Sequence, residues 1–247
     1  GVEKVIELAD SVAVVAREIG LYLRRRLKAN SAPDDEAFAM TSVLGLLALL
    51  IGFTFSIALS RYEERRDLVV KEANALGTTW LRMQLLDRTD RTMMEAVLRR
   101  YVDTRVAFGL AGSADEEMAT ETKSEALQGE LWAALMSVVG PFRDSPRASL
   151  LISTTNDSID LAAERSATRQ AHIPVRILRT LWLFALLAAG MVGYERGRHR
   201  KSTTLMFILL SLGAVLILDL DRPTTGMINV SQQPMIDLRD GIAPMVQ

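Results

Sequence analysis

The sequence has no cysteine among its 247 residues and almost no excess of either charge. Without cysteine there are no disulfide bonds, thiolate metal sites, iron–sulfur clusters or cysteine nucleophiles, although the redox compartment stays undetermined. Basic and acidic residues number 29 and 30. A nucleic-acid-binding surface requires a surplus of Lys and Arg on one face, so this composition gives no general case for a nucleic-acid partner.

Catalytic signatures are scarce as well. Histidine occurs only twice, as His172 and His199, and the position of His172 beside Pro174 predicts a solvated loop histidine. Acid–base catalysis needs paired carboxylates or a histidine among converging groups, and the spacing of Asp157 and Asp160 specifies no such arrangement. We therefore expect no enzyme activity, no catalytic residues, no metal site and no cofactor.

The apolar residues, 49% of the chain, are concentrated in long uncharged runs. Residues 37–60 form 24 consecutive positions without a charge, residues 202–218 form 17, and residues 180–194 form 15. Runs of this kind are typical of membrane-spanning helices. The sequence therefore predicts an integral membrane protein whose first partner is the lipid bilayer.

The run 37–60 is the clearest predicted span, because as a helix it would be about 36 Å long and could cross a bilayer with some tilt. One of its ridges has small side chains every four residues, which let a neighbouring backbone approach closely. These residues are Ala48, Gly52, Ser56 and Ser60. The adjacent ridge has mostly larger apolar groups, at Gly45, Leu49, Phe53 and Ile57.

Two further regions complete the predicted membrane part. Residues 5–23 are apolar but interrupted by charges, so they form either an interfacial or packing helix or a full first pass. Residues 174–222 predict a helical hairpin in which Arg176 and Arg179 snorkel toward one interface. The turn of this hairpin contains four basic residues, Arg196, Arg198, Arg200 and Lys201.

Residues 61–173 predict a helical domain outside the membrane. A capping box formed by Ser113 and Glu116 opens one helix of this domain. Ser145 followed by Pro146 is typical of the start of another. The domain has about the usual size of a single folding unit.

The helix of the first long run should continue out of the membrane, because no Pro or Gly interrupts the sequence before Gly77. The predicted fold is all-α, with three to four transmembrane helices. Its segments are 1–36, an amphipathic or degenerate first membrane helix with a linker at 29–36; 37–60, a transmembrane helix; 61–173, the helical extramembrane domain; 174–222, a transmembrane hairpin; and 223–247, an irregular C-terminal tail.

Two separated motifs resemble those of the bacterial bestrophin-like domain family. The first is GFTFSIALSRYEERR at residues 52–66, continuing as KEANALGT at 71–78. The second is DLDRP at residues 219–223, followed by Gly226, Val230, Ser231 and Gln232. The resemblance covers residues 37–240, and the first helix matches poorly.

The further resemblance to true bestrophins rests on Gly52, Phe53, Arg61 and Tyr62. Bestrophins are pentameric ion channels whose second transmembrane helix lines a hydrophobic neck with residues four apart. The resemblance implies neck positions at Gly45, Leu49 and Phe53, although Gly45 stands where the family has a bulky residue. Rings of Leu49 and Phe53 would form an apolar constriction that gates by dewetting. Known bestrophins conduct anions or cations, so charge selectivity does not follow.

Loop charges and the resemblance disagree about sidedness. The basic clusters at residues 24–28 and 196–201 lie on the same side of the predicted membrane, and the positive-inside rule makes that side cytoplasmic. The domain 61–173 would then lie outside the cell. The resemblance to bestrophins implies that this domain is cytoplasmic, and both alternatives stay open.

Polar residues at the predicted membrane edge allow two interpretations. After the first span they form either ion pairs and snorkelling anchors or an ion-selecting ring; these residues are Arg61, Glu63, Glu64, Arg65 and Arg66. At the end of the last membrane helix they form either a helix stop with pairing between helices or subunits, or a cation site; these are Asp219, Asp221 and Arg222. Leu49 and Phe53 fit ordinary helix packing as well as pore lining.

The sequence thus predicts a bestrophin-like ion channel, a homo-oligomer and by resemblance a pentamer. We expect a multi-pass protein of the inner cell membrane that passes small inorganic ions. The alternative is a non-conducting membrane scaffold or signalling protein whose helical domain binds a partner. Oligomeric symmetry separates the two, because so few spans per subunit enclose a path only when several copies assemble.

Overall fold

The structure, a computed structural model, describes most of the chain beyond its N-terminal segment. The described residues are 15, 18, 20, 22, 33–195, 200–222 and 226–243. Side-chain surroundings are described for the same residues except 33–37, 39 and 192–207. Most of the predicted first helix at 5–23, the basic cluster at 24–28 and residues 196–199 of the predicted hairpin turn lie outside the described residues.

Every regular element in the described ranges is a helix, which confirms the predicted all-α class. The helices are α1 (Pro33–Arg82), α2 (Arg88–Leu110), α3 (Ala114–Val139), α4 (Pro146–Gln170), α5 (Val175–Glu195), α6 (Arg200–Asp221) and α7 (Gln233–Gly241). Short 3₁₀ turns at Met83–Leu85 and Gly140–Phe142 follow α1 and α3.

Both predicted helix starts are present. The Ser113 hydroxyl accepts a hydrogen bond from the Glu116 backbone N–H at 3.2 Å and caps α3. The Ser145 hydroxyl likewise accepts from the Ala148 N–H at 3.2 Å, with Pro146 in the first turn of α4. Each cap satisfies a backbone donor that the helix itself leaves unpaired.

Helix α1 continues without a break from the first long apolar run into the charged sequence, as predicted, and ends at Arg82. It also begins earlier than predicted, at Pro33, inside the segment 29–36 that the sequence suggested to be a linker. A proline followed by three acidic residues is typical of a helix start. The proline needs no intrahelical partner there, and acidic groups are favourable near the N-terminal dipole.

The C-terminal segment 223–247 is not wholly irregular, contrary to the sequence-based prediction, because it contains α7. A helix of nine residues is too short to be stable by itself in water. Met235 and Ile242 are buried in the same hydrophobic cluster as Leu76. Tertiary packing therefore stabilises this helix.

The chain divides into two compact units. The first unit contains Gly1–Ser60 and His172–Arg222, and the second contains Arg61–Ala171 and Pro223–Gln247. Residues 223–247, which the sequence suggested to be a separate tail, belong to the second unit.

In the first unit, Leu47 of α1 packs with Leu181 and Ala188 of α5. Helix α6 also approaches α1, since a Cβ added at Gly213 would lie 3.6 Å from Ile51 Cγ2. Within the described residues, two helical stretches are long and apolar enough to cross a membrane. They lie in Met40–Leu85, which contains most of α1, and in Pro146–Met191, which contains α4 and most of α5.

The second unit has the larger core, built from five helices. Its most buried apolar side chains come from α1, α2, α3, α4 and α7 and include Leu76, Leu98, Leu131, Leu151 and Met235. This core contains the C-terminal half of α1, so α1 is packed on the other helices of the second unit after the end of the apolar run.

Candidate functional site

Helix α1 has two opposite faces in the first unit. Leu47 and Thr54 are 1% and 2% exposed, and Ala58 is fully buried. Leu49 and Phe53 are instead 54% and 61% exposed. With about 3.6 residues per turn, the two groups lie on opposite sides of the helix. Two of the three predicted neck residues therefore point away from the described part of the first unit.

The third predicted neck position, Gly45, is exposed on the same side as Leu49. A Cβ added to Gly45 would meet no atom within 4 Å. The described part of the chain thus leaves the whole ridge of Gly45, Leu49 and Phe53 uncovered. An exposed apolar ridge of this kind can contact lipid, pack against another molecule, or line a narrow path between several copies of the chain.

The ridge of small residues is uncovered too. Ala48, Gly52, Ser56 and Ser60 are exposed, and a Cβ added at Gly52 would meet no atom within 4 Å. The helices described in this chain do not supply the close neighbour that the spacing predicts. Any such neighbour lies outside the described residues, in the rest of the chain or in another molecule.

One polar residue, Thr54, lies on the buried side of α1, and an internal hydrogen bond accounts for its burial. The Thr54 hydroxyl donates to the Leu50 carbonyl at 2.7 Å. This bond back to the helix satisfies the hydroxyl without an external partner. Burial of Thr54 therefore leaves its donor paired.

In the charged cluster after the span, Arg65 is the buried member. Its Nε donates to the Thr168 carbonyl at 3.3 Å and its Nη2 donates to the Ala171 carbonyl at 2.6 Å. These carbonyls lie at the C-terminal end of α4, where the last helical carbonyls lack intrahelical partners and a cation is favoured. Arg65 therefore ties α1 to the end of α4.

The other members of this cluster are arranged differently. Glu63, Glu64 and Arg66 are exposed and Arg61 is half-buried. The Arg61 Nε has no hydrogen-bond partner among the described residues. The structure thus separates one buried anchor from a set of more accessible charges.

At the C-terminal end of α6, the acidic residue Asp221 contacts the segment that leads into α5. Asp221 is buried, and its Oδ1 accepts a hydrogen bond from the Ile173 N–H at 2.9 Å. His172 is exposed, as predicted, with its Nδ1 3.5 Å from Asp221 Oδ2. Asp219 is buried, and its carbonyl accepts from the backbone N–H of the exposed Arg222.

A buried ion-pair network that the sequence analysis missed lies deeper in the second unit. Glu72 of α1 is completely buried and accepts hydrogen bonds from Arg105 of α2 and Arg165 of α4. Arg165 also donates to Gln232 Oε1 at 2.5 Å. The network therefore joins α1, α2, α4 and the segment before α7.

Burial would raise the pKa of the Glu72 carboxyl, but the charges and hydrogen bonds of Arg105 and Arg165 outweigh it and hold that pKa below its ordinary value. Burial lowers the pKa of Arg165, and Glu72 offsets this effect only in part. The pKa of Arg105 is raised despite burial, because Glu72 lies against it. The directions for Glu72 and Arg105 both favour the charged forms that their ion pair requires.

Phe108 of α2 lies among the arginines of this network. The guanidinium carbons of Arg105, Arg169 and Arg165 are 4.4, 4.8 and 5.5 Å from the centre of its ring. A ring face attracts cations through its quadrupole. Arg169 also pairs with Glu117 at 2.9 Å, so acidic groups of α3 contribute to balancing the buried positive charge.

The sequence contained one signal for this network. Arg105 lies at helical spacing from Leu98, Tyr101 and Phe108 on the apolar face of α2, where a charge is expensive unless it is paired. Its partners lie 33 and 57 positions away along the chain, at Glu72 and the Ala162 carbonyl. The pairing itself was therefore not readable from local spacing.

The chain is similar to proteins of known family and fold. A family model described as Bestrophin-like domain matches residues 11–235. A leucine-to-threonine variant of a bacterial bestrophin homologue from Klebsiella pneumoniae has a TM-score of 0.72 at 12% identity, covering 98% of this chain and 97% of that chain. No curated protein matches the sequence.

Two further solved structures show the same fold. A proline-to-alanine variant of a membrane protein has a TM-score of 0.70 at 12% identity, covering 98% of this chain and 97% of that chain. An isoleucine-to-alanine variant of the Klebsiella pneumoniae homologue has a TM-score of 0.68 at 13% identity, covering 98% and 96%. At these identities, the likeness concerns the fold.

Proposed function

The chain belongs to the bestrophin-like domain family, and we propose that it is an oligomeric ion channel whose path is lined by the exposed face of α1. The observation that carries this proposal is the exposure of Leu49 and Phe53 on a helix whose opposite face is packed inside its own chain. A symmetric ring of copies would bring these side chains together around one axis.

In the proposed channel, five copies of Leu49 and Phe53 form two apolar rings. Such rings gate by dewetting, because a narrow apolar passage excludes water until it widens. Gly45 would contribute no side chain, so the entrance next to Leu49 would be wider than the two rings. Ala48, Gly52, Ser56 and Ser60 would pack against the adjacent copy.

We further propose a multi-pass protein of the inner cell membrane that conducts small inorganic ions. The helices of residues 37–60 and 174–222 would span the bilayer, and residues 61–173 would lie outside it. Exposed Glu63, Glu64 and Arg66, together with Arg222 at the end of α6, would face the membrane edge. Arg61, Arg65, Asp219 and Asp221 would serve as anchors there.

The test is ion flux through purified protein in liposomes, compared between Phe53→Ala and Phe55→Ala. Both variants remove a phenyl ring from α1, but Phe55 is only half exposed and lies off the neck ridge. Phe53→Ala should raise flux severalfold or make it leaky, and Phe55→Ala should leave it near the parent level.

The oligomer must be measured in the same preparation. Native mass measurement of the solubilised particle should give a ring of several copies, five in this proposal. A folded monomer or dimer without flux would contradict the channel and favour a membrane scaffold whose helical domain binds a partner. A ring without flux would also remove the channel proposal.

A further inference from the structure

Three buried polar residues on α1 recur every seven positions after the apolar run. They are Arg65, Glu72 and Thr79, of which Arg65 is 4% exposed and the other two are fully buried. Seven residues are close to two helical turns, so these side chains lie on one face of α1. Along the continuous helix, this face lies away from the ridge of Leu49 and Phe53.

Each of the three residues bonds to α4 or its C-terminal end. Arg65 donates to the Thr168 and Ala171 carbonyls. Glu72 accepts from Arg165.

The third contact joins hydroxyl groups. The Thr79 Oγ1 lies 3.0 Å from Thr154 Oγ1 and 2.8 Å from Ser158 Oγ. Partner numbers fall along α4 as residue numbers rise along α1, so the two helices are antiparallel. We name Arg65, Glu72 and Thr79 the polar ladder.

The three contacts of the polar ladder differ in chemistry. The first pairs a guanidinium with carbonyls, the second a carboxylate with a guanidinium, and the third two kinds of hydroxyl. A shift of α1 by one turn against α4 would place each of these side chains next to a group with which it cannot form its hydrogen bond. Buried polar atoms would then be left unpaired. Such mismatches are costly, so a set of different contacts selects one register.

Apolar packing in residues 37–60 does not select a rotation of α1 in the same way. Leu47 is buried while Leu46 and Leu49 are exposed, so large apolar groups lie on both sides. In a bilayer, lipid tails cover an apolar face about as well as another helix does. The rotation of this part of α1 therefore depends on where the same continuous helix is held outside the apolar run.

We propose that the polar ladder positions the neck, holding α1 at one rotation and one axial position so that Leu49 and Phe53 face away from their own chain. This inference rests on the proposed channel function. Arg65, Glu72 and Thr79 are positioning residues, because none of them lies on the neck face. Arg65 is the member of the polar ladder nearest to the neck.

Because the sequence has no cysteine, the cysteines introduced for a test are the only thiols in the variant. The first measurement uses Leu47→Cys combined with Leu181→Cys, two positions of the same buried cluster. Oxidation should link them rapidly in the otherwise unchanged chain. Adding Arg65→Gln and Thr79→Val should slow the link at least threefold, whereas adding Arg65→Lys and Thr79→Ser should not.

The second measurement compares Phe53→Cys with Thr54→Cys in liposomes, using a water-soluble methanethiosulfonate reagent. Phe53→Cys should react at least tenfold faster than Thr54→Cys, because loss of the phenyl ring widens the proposed neck and admits the water that the reaction needs at the thiol. Adding Arg65→Gln should reduce this ratio at least threefold. Circular dichroism of each variant establishes that the helices are retained.

The two measurements separate the possible failures. An unchanged cross-linking rate in folded Arg65→Gln, Thr79→Val protein would overturn the positioning role of the polar ladder. Slow labelling of Phe53→Cys in the otherwise unchanged chain, with cross-linking that still depends on Arg65, would reject the water-filled neck but retain the ladder. If the double variant does not fold, cross-linking is measured with Thr79→Val as the only substitution in the polar ladder. An unchanged rate in that variant would again overturn the positioning role.

Discussion

Arg105 and Arg165 bind the two oxygens of one buried carboxylate, that of Glu72: Arg105 Nε approaches Oε1 and Arg165 Nη1 approaches Oε2. Two positive charges thus share this carboxylate, which has no exposed surface, and Arg105 also pairs with Glu121 at 3.2 Å. Such an arrangement persists only if each charge keeps its partner, because an unpaired buried ion is strongly unfavourable.

Replacing Glu72 with Gln should destabilise the protein severely. The variant removes the negative charge and turns an amide N–H toward two guanidinium donors. Loss of one partner from a buried ion pair costs about 3–5 kcal/mol, so the unfolding midpoint of the full chain in detergent should fall clearly. Glu64→Gln, an exposed acid on the same helix, should change stability by less than about 0.5 kcal/mol. Equal melting of both variants would disprove a stabilising role for the network.

The same carboxylate predicts an acid-sensitive stability. The folded pKa of Glu72 lies below its ordinary value of 4.5. A lowered pKa stabilises the fold fully above the ordinary value, and this contribution is lost as pH falls from 4.5 through the folded pKa. Thermal melts of Glu64→Gln should keep the steep acid loss of the parent chain, while Glu72→Gln should show a shallower loss. Parallel pH profiles for the two variants would exclude Glu72 as a source of the acid sensitivity.

Local signals in the sequence predicted much of the fold. The caps at Ser113 and Ser145 depend on residues three positions apart, and the continuity of α1 depends on the lack of a breaker before Gly77. Helix α7 was missed because its stability comes from Met235 and Ile242 packing on a distant core. Local propensity contains no information about that core.

The candidate site was only partly predictable for a different physical reason. Large apolar groups surround the membrane part of α1, so spacing identifies the ridge of Leu49 and Phe53 but not the direction in which it faces. The structure gives that direction through the burial of Leu47 and Ala58 on the opposite side. The polar contacts of Arg65 and Glu72 with α4 were missed because these partners lie about a hundred residues later in the chain.

A glycine in α2 leaves the space in which the C-terminal segment is held. A Cβ at Gly109 would overlap with Gln232 Oε1 and lie 2.6 Å from Arg165 Nη2. Gly109→Ala should therefore displace both side chains and break a buried hydrogen bond, at a cost of about 1–3 kcal/mol. Gly129→Ala in α3 gains the same helix propensity without a contact within 4 Å.

The stability difference between these two alanine variants isolates the clash. Chemical unfolding of both full-length variants should place Gly109→Ala below Gly129→Ala by about 1–3 kcal/mol. Limited proteolysis should also cut Gly109→Ala earlier near residues 226–243, because Gln232 no longer holds that segment. If the two variants are equally stable and equally resistant, Gln232 does not fasten the C-terminal segment.

Because Gly45 has no side chain, a larger residue at this position tests whether the proposed neck can be narrowed. Gly45→Leu adds an apolar group where the chain leaves open space, so the proposed neck acquires a third ring and ion flux in liposomes should fall severalfold while the oligomer persists. Gly52→Leu adds the same group to the ridge of small residues, where a Cβ also meets no atom of the described residues within 4 Å. There the new side chain should separate adjacent copies and lower the oligomeric fraction in native mass measurements.

Unchanged flux in Gly45→Leu together with an intact oligomer would place Gly45 away from the path, since an added ring of leucine side chains would narrow the entrance of the proposed neck.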